Sequence, residues 1–368
     1  MKFRVAPDAI RVDTDQSTGQ RPRANRDRLA AGAALAFVTL VLVSEIASRL
    51  LVRSGYWYDR LDFSGVLSSL PELQDRIRWA SHKPQLTVLL GDSVLGAGAL
   101  LERQVPDARR RTVPAFLRQA AEGSGWSVIS LGADGLLLRD LEGIVRQLRR
   151  DPPRRAVVFL NVRMFAAEFQ EGSGTASRGF LAAAAATSWK EAPDQPPGTG
   201  LGQWTFAHCY LFRMTQLLKT LWYFPSQHAF FQRSVARLLG GHEDRDLQDA
   251  ALALKVAPYY QNLWKTSAPS FRALNAIIDS GLPKGGLTLL LSPQNPSFME
   301  GSVDPATLER NRATLRSFLG ERKNDSFTYL DWSDRFPPEQ FLDHCHLKPS
   351  GNRQLAQELY RALEATGS

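Results

Sequence analysis

The chain has 368 residues, 43% of them hydrophobic, and a formal net charge of +8. That apolar fraction supplies a sizeable core and excludes a wholly disordered chain. Two cysteines, Cys209 and Cys345, allow at most one internal bridge and fit no zinc-ligand spacing.

The positive charge is uneven. Lys2, Arg4, Arg11, Arg21, Arg23, Arg26 and Arg28 all precede the first apolar run, and residues 1–28 read as a disordered basic tail. Residues 29–52 follow as a candidate membrane span. "LAAGAALAFVTLVLVS" carries no charge, and "EIASRLLV" extends it with Glu45 and Arg49 four apart, where they share a helix face and can pair. "YWY" at Tyr56 to Tyr58 fits an interfacial aromatic belt. A cleaved signal peptide and a buried core helix are the competing readings. No small-x-small cleavage site follows the run, and the arginine-rich flank disfavours burial. A basic tail beside such a run sets membrane orientation rather than binding nucleic acid. It leaves the tail in the cytoplasm and the rest of the chain outside it.

Residues 53–84 read as a linker and helical lead-in, and 85–368 as one domain. Five short apolar runs mark that domain: "LTVLL" (86–90), "SVISL" (127–131), "AVVFL" (156–160), "LTLLL" (287–291) and "FTYL" (327–330). Helical patterns such as "VPAFLRQAAE" and "LRDLEGIVRQLRR" separate them. Continuous apolar strands alternating with helices predict an α/β fold whose parallel sheet is covered on both faces. Between the third and fourth runs, about 170–286, no strand pattern occurs. This stretch reads as a helical insertion, or as a lid or membrane-facing surface, because "CYLFRMTQLLKTLWYFPSQHAFFQRSVARLL" is aromatic, basic and helix-spaced.

Ligands of such sheets bind beyond the carboxyl ends of the strands. The first run ends in Asp92-Ser93, the second in "LGADG", the third in Asn161, and after the fifth comes "FLDHCHLKPSGN". A serine, glycine-turn amides, an asparagine amide and an Asp–His pair are the parts that acyl transfer requires. Ser93 is thus a candidate nucleophile, with a helix N-cap as the alternative. Asp343 and His346 are three apart; His344 lacks that spacing. Arg163 is a candidate contact for an anionic substrate or a supporting arginine, and Asn295 in "SPQNP" a pocket residue or a plain turn.

This order of pieces resembles the SGNH hydrolases, also called the GDSL esterase/lipase superfamily, over roughly Leu86 to Leu363. The resemblance implies a three-layer, flavodoxin-like fold with a five-stranded parallel sheet. It also implies a catalytic set of Ser93, Asp343 and His346, an oxyanion hole from Ser93, Gly135 and Asn161, and no metal or cofactor. The third block departs from the family's Gly-x-Asn-Asp, reading Phe159-Leu160-Asn161-Val162. With a single amino-terminal anchor, the plan is similar to membrane-anchored SGNH proteins that accompany membrane-bound O-acyltransferases. The expectation is an extracytoplasmic, periplasm-facing O-acyl esterase or O-acetyltransferase acting on an envelope polysaccharide. The alternatives are a lipid or small-ester hydrolase, and a non-catalytic partner that binds a glycan or an acyltransferase.

Overall fold

The computed structural model describes residues 21–53, 76–166 and 245–366, apart from 78, 81, 84, 104, 133–135, 150–151, 283–285, 300–302 and 323–326. Helix α1 runs Arg21–Arg53. Its Ala30–Leu51 segment has 22 residues and a mean hydropathy of 2.0. At ~1.5 Å per residue that is about 33 Å, enough to cross a hydrocarbon core of about 30 Å. Leu35, Phe37, Leu40, Leu42 and Val43 are all exposed.

Five strands follow: β1 (Leu86–Gly91), β2 (Ser127–Gly132), β3 (Arg155–Leu160), β4 (Leu287–Leu291) and β5 (Phe327–Asp331). They coincide with the five apolar runs to within a residue at each end. All are parallel, in the order β2-β1-β3-β4-β5. That is the flavodoxin-like order that the SGNH resemblance implies. The helices of this unit are α2 (Gly98–Glu102), α3 (Val113–Ala120), α4 (Leu138–Leu148), α5 (Arg245–Gln261), α6 (Pro269–Ile278), α7 (Pro305–Gly320) and α8 (Pro349–Thr366).

Period-2 alternation sends neighbouring strand residues to opposite faces. Val88 and Leu90 pack with Ile144 of α4, Phe271 and Leu274 of α6 and Leu315 of α7. Leu89, Val157 and Phe159 pack with Phe116 and Leu117 of α3 and Leu355 and Leu359 of α8. Both faces are therefore covered, which is why the strands read as unbroken apolar runs. Burying each such leucine contributes about 1.5–3 kcal/mol. Helix starts are set locally: Thr112 caps α3, and Asp304 caps α7 by accepting from Ala306 N and Thr307 N, with Pro305 at the first helical position.

The order also fixes where a site can lie. From β1 the chain first goes to β2, then returns to β3 on the other side of β1. The crevice between the carboxyl ends of β1 and β3 is therefore the topological switch point. Residues 167–244, which hold the first part of the expected insertion together with Cys209, lie outside the described residues. The described end of the insertion is helical, in α5 and α6.

Candidate active site

β1 ends at Gly91 because the chain must turn hard there. A Cβ on Gly91 would lie 2.9 Å from Leu95 Cδ1 and 3.0 Å from Phe159 Cβ, and one on Gly132 would lie 2.9 Å from the Gly91 carbonyl oxygen. Only glycine lets β1 and β2 close up at this point. Asp92 then caps a short 3-10 turn, Ser93–Leu95, its Oδ1 accepting from Val94 N at 3.3 Å. The cap is Asp92 rather than Ser93. This leaves the serine hydroxyl available for another partner.

That partner is His346, whose Nε2 lies 3.0 Å from Ser93 Oγ. The other ring nitrogen, Nδ1, lies 2.8 Å from Asp343 Oδ2 and 3.0 Å from Oδ1. A carboxylate can only accept, so Nδ1 carries the proton and Nε2 faces the serine as an acceptor. Asp343 Oδ1 also accepts the backbone N–H groups of Cys345 and His346, each at 2.9 Å. The carboxylate thereby shapes the loop that carries its own histidine. An antiparallel bridge between Phe341 and Leu347 closes the base of this loop.

The charges follow from the geometry. Burial alone would raise the Asp343 pKa, but the bond from His346 and the neighbouring imidazoles outweigh it and hold the carboxyl well below the usual carboxylate range. Burial opposes the His346 cation as well. Cys345 in its thiolate form and Asp343 beside it win, and the His346 pKa stands well above that of an ordinary histidine. His344 makes no hydrogen bond to Ser93. Its Nδ1 sits 3.6 Å from Asp343 Oδ1, and its ring edge faces Tyr260 at a 6.1 Å centroid distance.

Asn161 follows β3 directly and caps the turn Val162–Phe165, its Oδ1 accepting from Arg163 N at 3.3 Å. β1 and β3 pair from Thr87 with Arg155 to Leu90 with Val158, so the turns that carry Ser93 and Asn161 leave the same edge of the sheet on either side of the switch point. Asn161 is buried, and with Oδ1 used on Arg163 N, its Nδ2 is the side-chain donor that remains for a ligand. Phe165 stacks on Trp264 at 4.4 Å and anchors the far side of this turn. Gly135 lies outside the described residues.

The two candidate substrate contacts bind protein groups in this structure. Arg163 Nη2 lies 2.8 Å from Asp92 Oδ2, and the Asp92 side chain is fully buried. This ion pair ties the turn bearing Ser93 to the turn bearing Asn161. Asn295 donates from its backbone N–H to His344 O at 2.9 Å and from Nδ2 to Asp343 O at 3.3 Å, and so pins the acid–base loop to the end of β4. Tyr260 of α5 was not legible as a neighbour of the site. Its hydroxyl is fully buried, and burial first, then the nearby Cys345, Asp343 and Asp92, pushes its pKa well above 10. Nothing in the helix pattern around Tyr260 distinguishes it from an ordinary core aromatic.

No protein-family model and no curated protein matches the sequence. Among solved structures, the chain is similar to a candidate arylesterase from Agrobacterium tumefaciens str. C58, with 12% identity, 77% of this chain and 100% of that chain covered, and a TM-score of 0.36. It is also similar to a candidate acylhydrolase from Bacteroides fragilis NCTC 9343, with 12% identity, 82% and 100% covered, and a TM-score of 0.30. Both are distant likenesses.

Proposed function

We propose that the protein is a serine-dependent O-acyl esterase or O-acetyltransferase of the SGNH type, tethered to a membrane by α1 and acting outside the cytoplasm on an acylated glycan. The observation that carries this reading is the unbroken chain Ser93 Oγ–His346 Nε2 at 3.0 Å and His346 Nδ1–Asp343 Oδ2 at 2.8 Å, placed at the sheet's switch point.

In the first half-reaction Ser93 Oγ attacks the acyl carbonyl carbon while its proton passes to His346 Nε2. The oxygen of the tetrahedral intermediate takes the negative charge. The backbone amides of Ser93 and Gly135 and the Nδ2 of Asn161 are the donors assigned to it. Asp343 stays ionised and stabilises the imidazolium. Collapse expels the alcohol, which receives the proton from His346 and leaves an acyl-Ser93 ester. Water or a second hydroxyl then attacks that ester with His346 again as base, which regenerates Ser93. With water the enzyme is an esterase, and with a glycan hydroxyl a transferase.

The site's chemistry supports acyl transfer. The glycan, the periplasmic setting and a membrane-bound O-acyltransferase partner are supported by the anchor and by the SGNH resemblance. The test is turnover by the full-length protein in detergent micelles, with p-nitrophenyl acetate and with an O-acetylated oligosaccharide as acyl donors. Release of acetate from both, or its transfer between oligosaccharides, is expected, with loss of both in Ser93→Ala. Turnover of long-chain esters alone would favour a lipid hydrolase. No turnover of any ester would favour a non-catalytic binding protein.

A further inference from the structure

The acid–base loop reads Asp343-His344-Cys345-His346, and the proposed mechanism uses only its first and last members. The two in between are chemically loaded. Ligand atoms of Asp343, His344 and Cys345 all lie within 4.8 Å of one another. Asp343 Oδ1 and His344 Nδ1 are 3.6 Å apart. Zinc bonds of about 2.0–2.3 Å imply edges of roughly 3.3–3.8 Å in a tetrahedral site, so small side-chain rotations bring these donors onto one centre.

Two further observations point to a ligand. His344 Nδ1 is buried and makes no hydrogen bond, which a native interior seldom leaves unexplained. The loop is also held in place before anything binds, by the two bonds from Asn295 and by the Phe341–Leu347 bridge. The side chains of Asp343 and His344 each keep 12% of their surface exposed, which gives an ion a way in.

We infer that Asp343, His344 and Cys345 form an inhibitory site for a thiophilic divalent cation such as Zn2+. The cysteine-only spacing in the sequence gives no hint of it, because the ligands are one thiol, one imidazole and one carboxylate on consecutive residues. Carboxylate, imidazole and thiolate are all accepted zinc ligands. On binding, the Cys345 S–H bond breaks, its proton leaves to solvent and a sulfur–metal bond forms.

The consequence is local. A cation held on the Asp343 carboxylate takes electron density from the group that steadies His346. It also places a second positive charge beside an imidazole that must become positive in the transition state. Binding itself stands on the loop's donors; only its effect on turnover rests on the esterase reading.

The test titrates chelator-stripped full-length protein, in detergent micelles, with Co2+ while the near-ultraviolet thiolate-to-cobalt absorption is recorded. A band saturating at one equivalent and displaced by Zn2+ is expected. Cys345→Ser and His344→Gln should each weaken binding at least about tenfold, the size of effect seen even when outer partners of a metal ligand are lost. Cys209→Ser should leave the band intact, and so should Ser93→Ala, which has no turnover. Zn2+ should suppress p-nitrophenyl acetate turnover over the same range, a chelator should restore it, and Cys345→Ser should be insensitive. A missing band, or one that follows Cys209, overturns the site. A band without inhibition of an active enzyme overturns its inhibitory role. An intact band in a protein with no esterase activity at all removes the esterase reading and leaves the metal site standing.

Discussion

Replacing Asp343 by asparagine is expected to silence turnover while leaving the loop intact, and the reason can be worked from its hydrogen bonds. Asp343 Oδ1 accepts two backbone N–H groups at 2.9 Å, from Cys345 and His346. In Asp343→Asn the carbonyl oxygen must keep that position, since an NH2 group there would face two donors. The amide nitrogen then takes the place of Oδ2, which is 2.8 Å from His346 Nδ1. A donor at that point forces Nδ1 to be the acceptor and puts the ring proton on Nε2, facing Ser93. The base can no longer take the serine proton. The wrong tautomer costs about 10^4 in kcat in serine–histidine–aspartate systems, or about 5.5 kcal/mol of transition-state stabilisation. The assay is kcat for p-nitrophenyl acetate, with circular dichroism and a urea unfolding curve to show that the fold survives. If Asp343→Asn kept a tenth or more of the wild-type rate while folded, Asp343 would not set the tautomer and the assignment of the acid would fail.

Asn161→Asp keeps the oxygen that caps Arg163 N but removes the Nδ2 donor. Its kcat should fall at least about a hundredfold, and the newly buried carboxylate should lower the unfolding midpoint as well; a lowered midpoint with kcat unchanged would make Asn161 a purely structural cap. Arg163→Met leaves the fully buried Asp92 carboxylate unpaired. The expected loss of stability is about 3 kcal/mol, at the low end for breaking a buried pair because Arg163 is itself 21% exposed. Urea unfolding measures it, and an unchanged midpoint would mean the pair carries no weight. His346 must be neutral to act as base, and its pKa is raised. The rising limb of kcat/KM, measured with chelator present, should therefore be centred above the ordinary histidine value of about 6.5. A limb centred below that value would contradict the role of Asp343.

The strands were legible because a sheet covered on both faces needs apolar residues at nearly every position, as in Leu86 to Leu90 with its one threonine, Thr87, and that signal survives in a single sequence. That the side chains of Ser93, Asp343 and His346 meet was legible for a local reason too: Asp343 and His346 lie three apart on one loop, and Ser93 follows the end of β1. What the sequence hid were the long-range pairings. Arg163 and Asp92 are 71 residues apart, and nothing local marks Arg163 as the partner of a buried carboxylate. Asn295 likewise could be placed at the correct sheet edge, but not recognised as the clamp on Asp343 and His344. Tyr260 arrives from α5 inside the insertion, whose path over the sheet no periodicity reveals.

The central claim is that Ser93 is an activated nucleophile. Labelling full-length protein with a fluorophosphonate, followed by peptide mass mapping, tests it most directly. One label per chain on Ser93 is expected, lost in Ser93→Ala and strongly slowed in His346→Ala. A folded protein that takes no label, or that takes it on another residue, would contradict the account.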